Sequence, residues 1–267
     1  MMNIIICVKQ VPDPEIPLAK FRIDPDAKRV IPPEGIPPVI SPFDKQAVEA
    51  ALRIKEQHGG KITVLTMGSS SAGDVVRHAL SMGADEGIIV SDEAFEGSDC
   101  FSTAYILTKA IEKIGEYDLI LCGRQAADWD VGAVGSLIAE NLGVPIITFA
   151  RKIEALGGTL RVERVLLEGY EVIELAPPAV ITISNELGQP RLPSGWGIIA
   201  AARKQIPTWN ASDLDTEASL IGAANARSEL SKLFIPVRER ACQIIGGENV
   251  AEAAANLALK LKGDGVI

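Results

Sequence analysis

The sequence has few of the residues that hold structural metal ions. Only two histidines, His58 and His78, occur in 267 residues, and no Cys-x-x-Cys pair is present. Zinc sites in proteins need clustered cysteine and histidine ligands, so no metal centre is expected. The four cysteines, Cys7, Cys100, Cys122 and Cys242, are widely scattered. Cys7 and Cys122 stand in strand-like apolar runs, where a buried thiol behaves as a small hydrophobe.

Long hydrophobic runs are also missing. No apolar run approaches the roughly 18 residues that a membrane-spanning helix needs. The opening apolar run at 3–8 is too short for a signal peptide and has no basic region before it. We therefore expect a chain that does not span a membrane and that is cytoplasmic.

An excess of positive charge is absent too. The chain has 26 Lys and Arg against 35 Asp and Glu, which gives a formal net charge of −9. This balance argues against a nucleic-acid backbone or an anionic membrane surface as the main partner. It leaves nucleotides open, because backbone amides can bind a phosphate on an acidic protein.

Three common fingerprints of nucleotide and catalytic sites do not occur. No Gly-x-Gly-x-x-Gly follows the first strand-like run, and no Gly-x-Ser-x-Gly is present. Gly60-Lys61 lacks the earlier glycine of a P-loop and is followed by Ile62 instead of Ser or Thr. The predicted site is therefore one for binding, and we assign no catalytic residue.

The first part of the chain alternates short β-rich apolar runs with helical patterns. The expected strands cover 4–8, 61–67, 87–90, 118–122 and 144–147, and the later helices cover about 72–81, 103–113 and 131–141. Such alternation is typical of a parallel sheet with right-handed crossovers. The prediction is an α/β fold with a Rossmann-like, doubly wound, mostly parallel sheet of the kind that binds adenine nucleotides.

The first helix has a clear start signal. Ser41 is a good N-cap, Pro42 suits the first helical position, and Asp44 can close a capping box. Gly59 and Gly60 are expected to end this helix.

Residues 10–40 interrupt the alternation because they hold eight prolines. Proline at this density excludes a helix and disfavours a central strand. Two interpretations remain open: a surface excursion with one hairpin around 21–30, or a loop that completes a ligand site.

The alternation of strand and helix patterns gives way to a β-rich pattern after about residue 150. A β-rich segment near 150–185 contains strand-like runs at 160–167, 170–175 and 179–184, and the last of them is either buried or returns to the main sheet. The Pro- and Gly-rich stretch 190–197 is interpreted as an exposed loop. A final helix is expected from Asn249, with Glu252 as its capping partner. We therefore predict a nucleotide-binding domain over 1–205 and a C-terminal arm over 206–267.

The candidate ligand site lies where the strands end. In an open parallel sheet, ligands bind at the carboxyl ends of the strands, at the point where the strand order reverses. After the run at 118–122 the chain continues through Asp128, Asp130 and several small residues up to Ser136. Asp130 can cap a helix, and small side chains let a phosphate approach backbone amides at a helix N-terminus. Close packing of a helix on a strand explains the small residues equally well at this point.

Several of these segments together resemble one family, the beta subunit of electron transfer flavoproteins, over nearly the whole chain. The matching segments stand in family order; they are Cys7 to Asp13, Ser41 to Asp44, Ala79 to Asp85, Gly123 to Ala126, Asp128 to Ala139, Val162 to Arg164, Pro178 to Val180, and Pro190-Arg191. The number of ordered matches makes the resemblance specific, since each one alone is weak.

The resemblance implies a heterodimer in which an alpha subunit holds most of a redox-active FAD, while the beta subunit packs against the flavin and binds its own nucleotide, usually AMP. It places an aromatic, here Phe43, near the flavin ring, and burial in the core is the less favoured alternative for this phenylalanine. The residues that it assigns to cofactor binding are Cys7, Lys9, Ser41, Pro42, Phe43, Asp44, Met67, Gly68, Arg124, Asp128, Asp130, Val131, Gly132, Ala133, Val134, Gly135, Ser136, Leu137 and Ala139.

The resemblance also implies a recognition loop at 190–197 that docks into partner dehydrogenases. Many members carry an exposed leucine where this chain has Gly195, followed by Trp196. Pro193, Gly195 and Trp196 are therefore the expected docking residues, with Trp196 as a replacement anchor. The tail from Ser228 to Ile267 resembles the longer tails of some bacterial members and is expected to wrap the alpha subunit in a prokaryotic cytoplasm.

Electron-bifurcating members of the family, which oxidise NADH, resemble the chain at 8–13, 123–126 and 169–171. They bind a second FAD in place of AMP, and their loop has a glycine where this chain has Trp129. We favour AMP and an electron carrier that serves flavin dehydrogenases, such as acyl-CoA dehydrogenases, and delivers electrons to a quinone reductase or an iron–sulfur acceptor. The alternatives are a bifurcating subunit and a non-redox, ATP-binding protein of stress-protein type.

Overall fold

A computed structural model describes residues 1–236 and 242–267. The helices are α1 to α6, with bounds Pro42–His58, Gly73–Met82, Cys100–Ile114, Val134–Leu142, Gly195–Arg203 and Val250–Gly263. The strands are β1 to β13, with bounds Met2–Cys7, Gln10–Val11, Arg22–Asp24, Arg29–Ile31, Val39–Ile40, Gly60–Met67, Glu86–Val90, Leu119–Gly123, Ile146–Leu156, Thr159–Leu166, Gly169–Leu175, Ala179–Ile183 and Thr208–Trp209.

Within the described residues the main sheet has nine strands, in the order β11-β10-β9-β12-β8-β1-β6-β7-β13. The seven neighbouring strands β9, β12, β8, β1, β6, β7 and β13 are all paired in parallel. Strand β10 pairs antiparallel with both β9 and β11. Helices α1 and α2 contribute to the hydrophobic core on one face of the sheet, and α3 and α4 to a second core on the other. The predicted doubly wound, mostly parallel α/β fold is confirmed.

The sheet is built from apolar strands that are buried on both faces. Ile4 to Ile6, Leu119 to Leu121 and Ala179 to Ile183 expose almost no surface. Parallel strands covered by helices need such continuous apolar runs, and each buried isoleucine or leucine side chain contributes about 1.5–3 kcal/mol to folding. This explains why the central strands could be predicted within one or two residues.

The β-rich segment forms part of the main sheet. Strand β9 pairs in parallel with β12 through Ile146 and Ile147, and its later half pairs antiparallel with β10. Strand β12 lies between β9 and β8, so the chain returns to the buried centre of the sheet after the antiparallel strands β10 and β11. The hairpin predicted around 21–30 is confirmed as β3 and β4.

Two predictions of local structure need correction at their boundaries. The stretch 190–197 is not wholly a loop, because α5 begins at Gly195, with the Ser194 hydroxyl accepting a hydrogen bond from the Gly197 amide at 3.0 Å. The first turn contains two glycines, which lower helix propensity, so the sequence pattern did not indicate this helix. The helix predicted over about 131–141 is confirmed as α4, although it begins at Val134.

The chain divides into two compact units, 1–232 and 233–267. The first unit extends beyond residue 205, where the sequence analysis places the start of the arm. In the second unit, α6 begins after Asn249, whose side chain accepts a hydrogen bond from the Glu252 amide at 3.0 Å. The part of the predicted arm at 237–241 lies outside the described residues. No helix in the described ranges is long and apolar enough to cross a membrane.

A cluster of charged side chains ties the segment before α5 to α1. Arg191 donates from its backbone amide and its Nε to Oε2 of the buried Glu49, at 3.1 Å and 2.8 Å, and it also pairs with Glu56. Arg53 donates to the other oxygen of Glu49 at 2.8 Å. The buried carboxylate thereby has all its partners in the folded chain, and the segment before α5 is fixed to the first helix.

Replacing Arg191 should therefore destabilise the fold. Arg191→Met leaves Glu49 buried with Arg53 and the backbone amide of residue 191 as its remaining partners, and we expect the free energy of unfolding in urea to fall by about 3 kcal/mol. Lys61→Met is the matched control, since Lys61 pairs with Glu86 at 2.8 Å but both side chains are half exposed. It should cost less than about 1 kcal/mol. Equal small losses in both variants would show that the cluster does not hold the segment.

Candidate functional site

The candidate site lies where the order of the strands reverses. The chain passes from β1 to β6 and β7 on one side, and then returns to β8 on the other side of β1. The carboxyl ends of β1 and β8 therefore lie side by side, with Cys7 opposite Cys122. This is the position at which open α/β sheets bind ligands.

Asp44, in the first turn of α1, connects these two strand ends through hydrogen bonds. Its Oδ2 accepts a hydrogen bond from the Lys9 amide at 2.7 Å, and its Oδ1 accepts one from the Gly123 amide at 3.1 Å. A Cβ at Gly123 would overlap Oδ1 of Asp44 and the backbone of Phe43, so only glycine fits there. The predicted cofactor residue Asp44 thus directs both carboxylate oxygens to the protein backbone.

The capping prediction for α1 is half right. Ser41 precedes the helix and Pro42 opens it, but neither the Ser41 nor the Asp44 side chain accepts a hydrogen bond from a helix amide. The capping box is wrong because the strand-end amides take the Asp44 carboxylate instead. The Ser41 hydroxyl is buried and has no hydrogen-bond partner among the described residues.

Burial determines the protonation of the groups at the ends of β1 and β8. Burial raises the pKa of Asp44 to about 7, against the opposing effect of the two amide hydrogen bonds. Contact with the Cys7 thiol, together with burial, raises the pKa of the Cys122 thiol. Cys7 and Cys122 are both buried, as predicted for thiols that behave as small hydrophobes. In the described ranges, no group of His, Cys, Asp or Glu could hold a metal ion.

Lys9 and Asp128 connect the end of β1 to the loop after β8. The Lys9 Nζ donates to Asp128 Oδ2 at 2.6 Å, and the Asp128 carboxylate is mostly buried. The other carboxylate oxygen accepts a hydrogen bond from the Trp129 amide at 2.9 Å. Half of the Trp129 side chain, 49%, is exposed. The ion pair fixes the loop in place and leaves this indole at the surface.

Asp130 does not cap α4, so that prediction is wrong. Its backbone is left-handed, with φ 52°, and its carboxylate accepts a hydrogen bond from Gln125 Nε2 at 2.9 Å. Gly132 is also left-handed, with φ 66°, and a Cβ there would lie 3.2 Å from the Arg124 carbonyl oxygen. Asp130 and Gly132 thus turn the chain twice before α4 begins.

This path leaves a run of backbone amides available. No hydrogen bond within the described part of the chain uses the amides of residues 131–136, whereas the flanking amides of Asp130 and Leu137 bind the carbonyls of Ala126 and Ala133. The run includes the first turn of the nine-residue α4. Unpartnered amides at a helix N-terminus, where the helix dipole favours an anion, are the kind of donors that bind phosphate groups in proteins.

Packing also accounts for one of the small residues. Gly135 is buried, and a Cβ there would lie 2.9 Å from the Thr182 methyl carbon. Gly135 therefore lets α4 pack closely on β12, while its amide also belongs to the run of unpartnered donors at 131–136.

The other predicted site residues lie around this centre. Met67 ends β6, the neighbour of β1, and the amide of Gly68, which follows it, donates to the Val90 carbonyl oxygen at 3.0 Å. Leu137 and Ala139 belong to α4, and Ala139 is buried in the core. Pro42 is exposed at the start of α1.

Phe43 and Arg124 lie next to each other on the same edge. Phe43 is half-buried, and the Arg124 guanidinium carbon lies 4.9 Å from its ring centroid. A second ring, Phe149 on β9, lies 6.0 Å from the same carbon. Sequence reasoning missed Phe149, because a phenylalanine in an apolar strand carries no signal of its backbone conformation.

Of the predicted docking residues, Gly195 and Trp196 are exposed at the start of α5, and Pro193 is half-buried just before it. Trp196 is 83% exposed, so it does not fold into the core, and Gly195 is the first residue of the helix. Pro193 precedes the Ser194 cap. The neighbouring Leu192, which the sequence analysis did not select, is 88% exposed.

Comparison with known proteins identifies the family. The electron transfer flavoprotein domain matches residues 30–214. The electron transfer flavoprotein subunit beta of Thermoanaerobacterium thermosaccharolyticum is 44% identical over 267 residues, which cover all of both chains. The chain belongs to the electron transfer flavoprotein beta-subunit family. The resemblance found in the sequence is thereby confirmed.

Other members of the family are similar over most of their length. The caffeyl-CoA reductase-Etf complex subunit CarD of Acetobacterium woodii is 38% identical over 262 residues, 98% of each chain. Protein FixA of Azorhizobium caulinodans is 36% identical over 243 residues, 88% of this chain and 85% of its own. The name of the first of these two relatives includes an Etf complex.

The pKa of Asp44 makes the stability of the fold depend on pH. A buried carboxyl that titrates near 7, against an ordinary value of 3.8, keeps its proton in the folded chain between about pH 4 and 7, where the unfolded chain has lost it. The stability that Asp44 contributes is therefore full below about pH 4 and declines as the pH rises through 7. Asp44→Asn should destabilise the chain more at pH 5 than at pH 8, with a change on the order of 1 kcal/mol per pH unit.

Asp99→Asn is the control for this titration. Asp99 accepts amide hydrogen bonds from Phe101, Ser102, Arg227 and Ser228. Burial acts to raise its pKa, but these hydrogen bonds outweigh burial and lower the pKa. The cost of Asp99→Asn should stay constant between pH 5 and 8, as measured by urea unfolding. A constant cost for Asp44→Asn as well would contradict the assignment.

Proposed function

We propose that the chain is the beta subunit of a heterodimeric electron transfer flavoprotein and binds AMP at the end of β1 and β8. The heterodimer would carry electrons from flavin dehydrogenases, such as acyl-CoA dehydrogenases, to a quinone reductase or an iron–sulfur acceptor. An FAD shared with the alpha subunit supplies the electron chemistry. The residues of this chain bind, orient and dock.

The run of unpartnered amides at 131–136 carries the nucleotide proposal. Six successive donors without an acceptor suit a phosphate, and the Lys9–Asp128 ion pair fixes the loop that presents them. The buried hydroxyl of Ser41, which has no partner within the described residues, adds a polar group on the β1 side of the same edge. The residues present therefore fit a nucleotide.

The loop favours AMP over a second FAD. Trp129 stands at a half-exposed position between two anchored aspartates, where the bifurcating members that the chain resembles have a glycine. An indole at this position narrows the space available to a second flavin ring. The second candidate function for this chain is that of a subunit in a bifurcating flavoprotein. The name of the Acetobacterium woodii relative places that protein in a caffeyl-CoA reductase complex.

Two surfaces support the proposal of protein partners. Leu192 and Trp196 present exposed apolar side chains just beyond the Arg191 cluster, and exposed aromatics of this kind are common anchors at interfaces. In the arm, Val250 and Leu257 are exposed along α6. We assign the first surface to the dehydrogenase and the arm to the alpha subunit. Membership of the family favours this account over a non-redox, ATP-binding stress protein.

A pair of glycine variants tests the nucleotide site. Gly132→Ala places a Cβ 3.2 Å from the Arg124 carbonyl oxygen at a left-handed residue, so the loop must shift. We expect the nucleotide-stripped heterodimer to bind AMP about tenfold more weakly, which corresponds to about 1.4 kcal/mol in calorimetry.

Gly143→Ala is the matched control. Gly143 has the same φ of 66° at the other end of α4, with no atom within 4 Å of an added Cβ. Both variants place alanine in the left-handed region, and both should lose stability for that reason. AMP affinity should fall only in Gly132→Ala. A wild-type heterodimer that binds no AMP would contradict the proposed site.

A further inference from the structure

A charged side chain beside the proposed nucleotide site lacks a partner. Arg124 follows β8, and in the described part of the chain its Nε is buried without a hydrogen bond. Glu186 senses the charge of Arg124, which is a minor cause of its lowered pKa after the hydrogen bond from Ser184. No described carboxylate is close enough to form an ion pair with the guanidinium. The buried Nε thus has an N–H without an acceptor in the described chain, and an acceptor from outside the chain would remove that cost.

Two aromatic rings hold the guanidinium. Its central carbon lies 4.9 Å from the Phe43 centroid and 6.0 Å from the Phe149 centroid. Arginine stacks favourably on aromatic faces at such distances. The rings orient the side chain, but they give its N–H groups no hydrogen-bond acceptor in the plane of the guanidinium.

Phe149 is placed there by an irregular strand. Its φ is 57°, a conformation that a bulky L-residue rarely adopts, and the register between β9 and β12 shifts at this point. The Phe149 amide leaves the regular ladder and donates to Thr182 Oγ1 at 3.0 Å. Bulges re-aim side chains near functional sites, and strained residues of this kind cluster there. The ring is 41% exposed.

The arrangement selects the chemistry of its ligand. Free N–H donors beside two partly exposed aromatic rings suit a planar ring that carries carbonyl acceptors. A carboxylate from another protein would satisfy the guanidinium but leave the two rings uncovered. A flavin ring meets both needs, and it gains negative charge when it is reduced.

We propose that Arg124, held between Phe43 and Phe149, contacts the carbonyl-bearing edge of the flavin and raises its reduction potential. The inference rests on the proposed function, because it requires that the heterodimer holds FAD at this edge of the sheet. A positive charge beside the ring stabilises the reduced form, which carries more negative charge than the oxidised form. Arg124 is thus a tuning residue contributed by the beta subunit.

The midpoint potential of the bound FAD tests this role. The heterodimer with its own alpha subunit is titrated spectroelectrochemically as wild type, Arg124→Gln and Arg124→Lys. Arg124→Gln should shift the potential to more negative values, because the charge is removed. Arg124→Lys keeps the charge but loses the planar fork, so its potential should lie between the other two.

Arg151→Gln is the matched control. Arg151 also stacks on an aromatic ring, at 3.9 Å from the Tyr170 centroid, but it has a partner in Glu163 at 2.8 Å. Its loss should leave the potential unchanged. Thermal unfolding of each variant, together with its FAD content, shows whether a change in potential accompanies a general loss of structure.

Each outcome decides the proposal. An Arg124→Gln heterodimer that keeps FAD with an unchanged or more positive potential would overturn it. A heterodimer that fails to assemble would overturn it too, because Arg124 would then serve the subunit contact. An assembled Arg124→Gln heterodimer that loses FAD, while Arg151→Gln keeps it, would support the contact. A wild-type heterodimer without FAD would instead refute the proposed function.

Discussion

The candidate site depends on one buried carboxylate. Asp44 accepts a hydrogen bond from the Lys9 amide at the end of β1 and another from the Gly123 amide at the end of β8. It thereby fixes the two strand ends at the switch point and attaches them to the start of α1. Phe43, Arg124 and the loop that follows β8 all take their positions from this joint. The cost is a carboxyl group that is easily protonated, since burial raises its pKa to about 7.

The groups available for binding at this edge of the sheet are those that have no hydrogen-bond partner once Asp44 has fixed the two strand ends. The Lys9–Asp128 ion pair closes the loop onto β1, and the left-handed turns at Asp130 and Gly132 separate the loop from α4. The amides of 131–136 then have no acceptor among the described residues, while the Arg124 guanidinium lies between two rings. We assign the amides to a nucleotide phosphate and the guanidinium to the flavin.

Much of the fold could be predicted from the sequence, because buried parallel strands require continuous apolar runs and glycines end the helices. The strands through Ile4 to Ile6 and Leu119 to Leu121 are examples. The site was less predictable. Asp44 has the sequence signature of a capping box, and only the tertiary structure shows that strand-end amides take its oxygens. The left-handed conformations of Asp130 and Phe149 likewise depend on long-range contacts that no local pattern encodes.

The central claim is that this chain, with an alpha subunit, holds one flavin and one AMP. The most direct test is to purify the heterodimer, release its ligands by denaturation, and count FAD and AMP per pair of chains. The account predicts one FAD and one AMP. Two FAD without AMP would show that the loop around Trp129 accepts a second flavin, and a pair without any flavin would contradict the account as a whole.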